Sequence, residues 1–488
     1  MPAKKLVLTY VDSLRTDMLE RAVEEGRTPH FGALLERGAL VPDCVSSFPS
    51  VTPVACAEMV TGVAADRHWI SGMNWYHRLE RRYVEYGSSL DATRAVGVFR
   101  ALYDLVYNMN LAHLNPGAPT LFERLDDAGL RTACTPFLIY RGRHRHEVSL
   151  EGLLRRAVDT TRLKFRHHTW GPAELFYGDL YASREVPCKS TSIPGARDAY
   201  SACCAAELER AGEYDFLLLS LPDNDNYSHR HGPGASVESI AKADACFGQL
   251  VEAGGGIESF LADHAVILLA DHAHSAVSRG LPLAVLLGQD WTVLAPSDDR
   301  PELAQLAVSP TGRAAHVYLL PGEGPRAERD EVRDRLASIE GVDLVCWLEG
   351  RTAVVERAGQ QLRFSPGGAT ADLRGGSWHV DGDPATLAAS ISEGRLHSDE
   401  YPDPLARVYA ALSAPSAGDF VLSLSPGYEA VDWGGVSHAG GGSHGALHRD
   451  DSLFPLLFVN CGPDDPTSSP QWALRDVMNV VLDHFAVR

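Results

Sequence analysis

The chain has 488 residues, 45% of them hydrophobic and 22% charged, with a formal net charge of −20. That apolar content supports a large core in two or three compact units and excludes a chain that is disordered throughout. The acidic balance argues against a protein that coats nucleic acid or an anionic membrane, so no duplex-binding partner is expected. Nine cysteines, an odd number with no CxxC pair, read as reduced thiols, and a cytoplasmic location is the expectation. The apolar run before Asp12 is too short for a signal-peptide core. No uninterrupted apolar stretch reaches the roughly 18 residues that would suggest a membrane span.

In chain order, "KKLVLTYVD" is apolar, β-branched and ends on an acid, which predicts a buried strand closing at Asp12. "TPHFGALLERGAL" predicts a short helix with Thr28 at its N-cap and Pro29 at the first position. Three helix–strand units follow. "PTLFERLDDAG" leads to "LRTACTP", "ARDAYSACCAAELERAG" to "YDFLLLSLPDND", and "SVESIAKADACFGQLVEAGG" to "HAVILLADHAHS". Alternating helices and strands imply an α/β fold whose largely parallel sheet is covered on both faces. Functional groups in such sheets gather beyond the carboxyl ends of the strands, which puts Asp12, Asp225 and Asp271 on one rim. Residues 76–117 and 141–195, rich in Arg, His, Tyr and Trp, read as cap segments. The aromatic and basic stretch 75–86 reads as a packed cap helix or a substrate cradle. Residues 321–431 read as a small α+β insert: "AERDEVRDRLASIEG" is helical, while "VDLVCWLEG", "TAVVERAG" and "QQLRFS" are strand-like. The catalytic core is then 1–75, 118–140, 196–320 and 432–488.

One stretch carries the chemistry. "LPDNDNYSHRHGP" crowds Asp223, Asp225, His229 and His231 at the end of an apolar strand. Carboxylates and imidazoles at that density repel or desolvate one another unless a cation binds them. Asp12, Thr52 in "FPSVTPVACAEMVTG", Asp271–His272 in "LLADHAHS" and His444 in "GGSHG" extend the set. Aspartate oxygens and histidine nitrogens suit zinc or a similar first-row divalent ion. Asp225 and His229, four apart, can share one face of a turn or short helix.

The order and spacing of these segments resemble the alkaline phosphatase superfamily, most closely its type I nucleotide pyrophosphatase/phosphodiesterase branch. The matching positions are Asp12, Phe48–Pro49–Ser50–Val51–Thr52, Thr61–Gly62, Asp225 and His229 with Gly232–Pro233, Asp271–His272–Ala273, and Gly442–Ser443–His444–Gly445. The resemblance implies an alkaline-phosphatase-like three-layer α/β/α core. It also implies two divalent metal ions, zinc with manganese as the alternative. One would be held by Asp225, His229 and His444, the other by Asp12, Asp271 and His272 with Thr52 beside it. Thr52 would be the nucleophile that forms a phospho-threonine, since a coordinated dication favours the alkoxide. Asn74, 22 residues further on, would donate to a non-bridging phosphate oxygen. Three departures stand out: Ala273 where the family has Gly, Val51 where it has a cation, and Ser13 where it has Gly.

Each position has a rival. Asp12 alone reads as a helix N-cap. Ser50 rivals Thr52, His231 rivals His229, His274 rivals His272, and His438 and His448 rival His444; the motif frame decides each. Asp223 reads as an acceptor for a ligand imidazole, and Arg141, Arg143 and Arg145 as holders of a second anionic group. The expected activity is hydrolysis of a phosphodiester or pyrophosphate in a small phosphate ester or nucleotide. Alternatives on the same core are a phosphomonoesterase, phosphonate hydrolase or phosphomutase; a sulfatase or a non-catalytic binding protein fits less well. The oligomeric state is left open.

Overall fold

The computed structural model describes residues 3–147, 168–178, 180–189, 196–298, 300–431, 433 and 437–487. Strands β1 (Lys5–Val11), β2 (Ala39–Val45), β3 (Thr132–Cys134), β4 (Glu174–Tyr177), β5 (Tyr181–Ala182), β6 (Phe216–Leu221), β7 (His264–Leu269) and β8 (Leu453–Val459) form the large sheet. Their order is β2-β8-β7-β1-β6-β3-β4-β5. The run from β7 to β4 is parallel, and β8 joins it antiparallel. The central strands are apolar at nearly every position because both faces are covered, and Leu6–Leu8, Phe216–Leu219 and Ala265–Leu269 have no exposed surface. This is the mixed α/β architecture with a mostly parallel sheet that the helix–strand alternation predicts.

Register sets where the acids fall. Val11 pairs with Leu221, and Tyr10 with Leu269, so β1, β6 and β7 end level. Asp12, Asp225 and Asp271 follow within a few residues of those ends and meet on one edge. Four helices matter to the site: α1 (Thr52–Thr61), α2 (Arg197–Ala211), α3 (Asp223–His231) and α4 (Val237–Ala253).

The second sheet has nine strands. It contains the strand-like segments expected at 342–365, and the helix Arg329–Ala337 also lies where the pattern put it. It begins ahead of residue 321, however. The hairpin Leu306–Thr311/Ala314–Leu319, placed in the core by sequence, pairs with Phe420–Leu424. A buried apolar hairpin does not announce its partner when that partner lies about a hundred residues away. Other expectations change as well. Residues 74–85 form a two-stranded hairpin rather than a cap helix, with Trp75 opposite Val84 and Tyr76 opposite Tyr83; buried aromatic and β-branched cross-strand pairs favour that state. Much of the 141–195 cap lies outside the described residues, and its β4 extends the main sheet. Cys188 and Cys203 are disulfide-bonded with Cα atoms 5.7 Å apart, which corrects the all-thiol reading; seven cysteines are free. Chain spacing alone did not show that these two meet. Among the described residues no helix is long and apolar enough to cross a membrane.

A third, small sheet brings two loops together: Ser275 pairs with Ser443, and Ala276 with Gly442. Asp451, fully buried, fastens these loops to the second sheet. Its carboxylate accepts from Ala446 N at 2.7 Å and from the Ser275 hydroxyl and Arg313 guanidinium, while its carbonyl accepts from Ala273 N. Arg313, also fully buried, donates its backbone N–H to the His444 carbonyl at 2.6 Å.

Asp451→Ala strands the Arg313 charge in the interior and should cost about 3–5 kcal/mol; chemical denaturation will read it, and a cost below 1 kcal/mol would contradict the assignment. His316 donates to the Ser71 carbonyl and accepts from Gly418 N, and burial holds it neutral down to about pH 4. The unfolded chain binds that proton near pH 6.5, so this contribution is complete above 6.5 and is lost as pH falls toward 4. The stability gap between wild type and His316→Gln should therefore shrink by about 2 kcal/mol between pH 7 and pH 5 in urea titrations.

Candidate metal centre

Two clusters of ligand-type side chains meet beyond the carboxyl ends of β1, β6 and β7: Asp225, His229, His274 and His444 in one, Asp12, Asp271 and His272 in the other. Helix α3 begins directly after β6 and puts Asp225 and His229 one turn apart, with His229 Nε2 3.4 Å from Asp225 Oδ1. His444 Nε2 lies 3.6 Å from the same oxygen and His274 Nε2 2.9 Å. The 441–445 loop needs glycine to come this close to α3: a Cβ on Gly441 would stand 2.0 Å from the His229 carbonyl oxygen.

Hydrogen bonding sets the direction of each ring. His229 Nδ1 donates to the Gly442 carbonyl and His444 Nδ1 to the Ser50 carbonyl, each at 2.8 Å. A carbonyl only accepts, so both hydrogens sit on Nδ1 and both Nε2 atoms are bare in the neutral ring. Burial keeps His229 neutral down to about pH 3 and pushes His444 well below its usual range. Two bare nitrogens thus face one carboxylate oxygen, an arrangement of acceptors that a cation between them would satisfy. In the second cluster His272 Nδ1 lies 3.1 Å from the Ala273 carbonyl, and Nε2 lies 3.1 Å from Asp271 Oδ2, 4.0 Å from Asp12 Oδ1 and 3.4 Å from Thr52 Oγ1. Burial, followed by the Asp271 and Asp225 charges, lifts Asp12 well above the ordinary carboxylate range. Asp271 Oδ2 is buried and accepts no hydrogen bond. The donor set therefore fits a pair of divalent cations.

Thr52 opens α1, where the helix dipole favours negative charge. It is half-buried, while every later residue of α1 is buried. Ser50, its rival, is fully buried and donates to the Ala446 carbonyl. Asn74 is buried on the 74–85 hairpin, with Nδ2 2.7 Å from the Pro310 carbonyl.

The remaining candidates have other partners. His231 packs against Tyr227 with the rings tilted, and His448 accepts from Asp450 N. His438 lies beside the first cluster, its ring 4.1 Å from that of His229 and its Nδ1 2.8 Å from Glu429 Oε2. The acceptors for the three ligand-type imidazoles are carbonyls, whereas Asp223 ties α3 to α2 through Arg197 and the Asp198 N–H. Arg141 and Arg143 are engaged by Glu123, and Arg143 also by Asp127, which removes the anion-holding role considered for them. Arg145 lies 3.5 Å from Glu147.

Sequence reasoning passed over two groups. His274, set aside as the rival of His272, reaches Asp225 instead. Its Nδ1 is buried without a partner, so a hydrogen on Nε2 donated to Asp225 leaves only a bare lone pair unmet, and the ring suits a donor to the ligand better than a ligand. Its offset of two from His272 just ahead of the strand Ser275–Leu281 was the available signal. Ser13, noted only as a departure from Gly, lies between the clusters, with Oγ 2.9 Å from Asp225 Oδ1.

The sheet thus carries two acid–imidazole clusters at its carboxyl edge, with the Thr52 hydroxyl at a helix start 3.4 Å from His272 of the second. The family model for type I phosphodiesterase/nucleotide pyrophosphatase matches residues 6–446, and the chain belongs to that family. It is an enzyme, a metal-dependent hydrolase of phosphoric esters. Among solved structures it is similar to phosphonoacetate hydrolase from Sinorhizobium meliloti in complex with phosphonoformate, at 17% identity over 100% of this chain and 95% of that one, with a TM-score of 0.56. It is also similar to murine ectonucleotide pyrophosphatase/phosphodiesterase 5, at 13% identity over 99% and 96%, again with a TM-score of 0.56. At these identities the likeness is one of fold. A search of curated proteins finds no significant match.

Metal-stripped protein should gain stability when Zn2+ or Mn2+ is added, by about 2.7 kcal/mol at a hundredfold excess over Kd. His229→Ala should lose one of two bound equivalents; a thermal scan with and without chelator, together with metal analysis, checks both.

Proposed function

We propose that this protein cleaves a phosphodiester or pyrophosphate bond in a small phosphate ester or nucleotide through a phospho-threonine at Thr52. The observation that carries the reading is the position of Thr52 Oγ1, 3.4 Å from His272 Nε2 at the first turn of α1, beside the Asp12–Asp271–His272 cluster. Asp225, His229 and His444 would hold one dication, and Asp12, Asp271 and His272 the other, zinc or manganese by donor chemistry. When bound, the pair supplies positive charge that favours an ionised Thr52 oxygen and offsets charge on the substrate and leaving oxygens.

The chain's own groups then have distinct tasks. Thr52 Oγ forms a bond to phosphorus as the bond to the leaving oxygen breaks. Water next attacks the phospho-threonine and the Thr52 oxygen departs, which restores the hydroxyl. At the first turn of α1 the backbone N–H of Thr52 is offered to a phosphoryl oxygen, since Pro53 has none and Val54 and Ala55 donate to the Val51 carbonyl. The Asn74 amide has two hydrogens; one is held by Pro310, and the other serves a non-bridging oxygen.

Charge count favours a diester over a monoester. Thr52 is flanked by Val51 and Pro53. Arg15 is engaged by Asp17 and the His274 carbonyl, and Arg197 by Asp223. A monoester dianion asks for a further uncommitted cation. Two dications held by the clusters would supply the positive centre that a net charge of −20 otherwise withholds from an anionic substrate.

Thr52→Ala should reduce turnover of bis-p-nitrophenyl phosphate at least ~10³-fold, with Thr52→Ser retaining part of it. Full turnover by the alanine variant would reject the nucleophile. Acid quench of the wild type with a radiolabelled diester should trap label on Thr52. In a panel with p-nitrophenyl phosphate and a phosphonate monoester, the diester should give the highest kcat/KM; a clear preference for the monoester would reverse the charge argument.

A further inference from the structure

Ser13 directly follows Asp12 at the carboxyl edge of the sheet and is 2% exposed. Its φ is +59°, in the left-handed region. Residues other than glycine are uncommon there, because Cβ crowds the following carbonyl; Asn and Asp are the usual exceptions. A serine kept in that conformation points to a contact that glycine could not make.

The hydroxyl makes such contacts. Ser13 Oγ lies 2.9 Å from Asp225 Oδ1, 3.2 Å from His272 Nδ1 and 3.4 Å from Asp12 Oδ1, and the backbone N–H donates to Asp271 Oδ1 at 3.2 Å. The direction of the hydrogens follows from the acceptors. The Ala273 carbonyl only accepts, so His272 Nδ1 carries a hydrogen and can share it with Ser13 Oγ. The serine hydrogen has Asp225 Oδ1 as its nearest acceptor. A path from His272 through Ser13 to Asp225 therefore crosses from one cluster to the other.

We propose that Ser13 is a positioning residue that couples the two ion-binding clusters, holding His272 and Asp225 in mutual register so that both cations are taken up together. This rests on the two-ion reading above. Ser13 touches no reacting atom in this scheme; it acts through the side chains on either side.

The test titrates metal-stripped wild type, Ser13→Ala and Ser13→Gly with Zn2+ or Mn2+ alone by calorimetry, and records the melting temperature of each without ions. Both variants should bind ions roughly 10–100-fold more weakly, the range for losing a group that orients a ligand. Ser13→Gly, freed of the left-handed strain, should melt at or above wild type without ions, so that its weaker binding is not a sign of unfolding. With diester substrate, kcat should fall while KM holds. Two equivalents bound with wild-type affinity by both variants would overturn the role of Ser13 and leave the two-ion reading standing. A wild type that takes up no ion would overturn that reading, and the role of Ser13 with it.

Discussion

The structure depends on the crowding of acceptors at one edge of its main sheet. Asp12, Asp225 and Asp271 meet there with His272 and with the bare nitrogens of His229 and His444. Protein donors meet that set only in part: Ser13 and His274 donate to Asp225 Oδ1, while the neutral His229 and His444 turn bare nitrogens toward the same oxygen. Positive charge from outside the polypeptide resolves the conflict. Folding therefore spends stability at this edge and recovers it when cations bind, which couples the integrity of the site to its chemistry.

The fold holds this arrangement with buried ionic fasteners placed behind the ligands. Arg313 and Asp451 link a hairpin of the second sheet to both histidine-bearing loops. Arg407, fully enclosed, donates to the Ser47, Pro402 and Leu447 carbonyls and to Ser452, and so pins the segment that leads into Thr52. Burial lowers the Arg407 guanidinium to about 10, still charged near neutrality. The second sheet is thus a brace for the catalytic loops as well as a neighbour of the core. A buried pair of this kind is costly to break, because either partner left alone is an unpaired charge in the interior.

The site asks for approach distances that ordinary side chains would block. Gly441 lies against the His229 carbonyl, and Gly312 against that of His444. Both let one catalytic loop press on the backbone of another. Ser13 shows the opposite choice: a side chain is kept where glycine would be easier, and its hydroxyl reaches ligands of both clusters.

The helix–strand alternation, the acid rim and most of the candidate site were legible in the chain, because each is written in short-range pattern. An apolar β-branched run ending at an acid encodes a buried strand and a loop-borne carboxylate. The four-residue spacing of Asp225 and His229 encodes one helical face. What depended on distant partners was not legible. The 306–319 hairpin belongs to the second sheet, the 74–85 segment pairs with itself as strands, Cys188 meets Cys203, and His274 turns toward Asp225 rather than competing with His272. By itself the sequence determined the fold class and the kinds of ligand available. Only the tertiary structure decided which histidine nitrogen faces which carboxylate, because that choice is made by carbonyl acceptors at Ser50, Ala273 and Gly442, some of them hundreds of residues from the ring they orient.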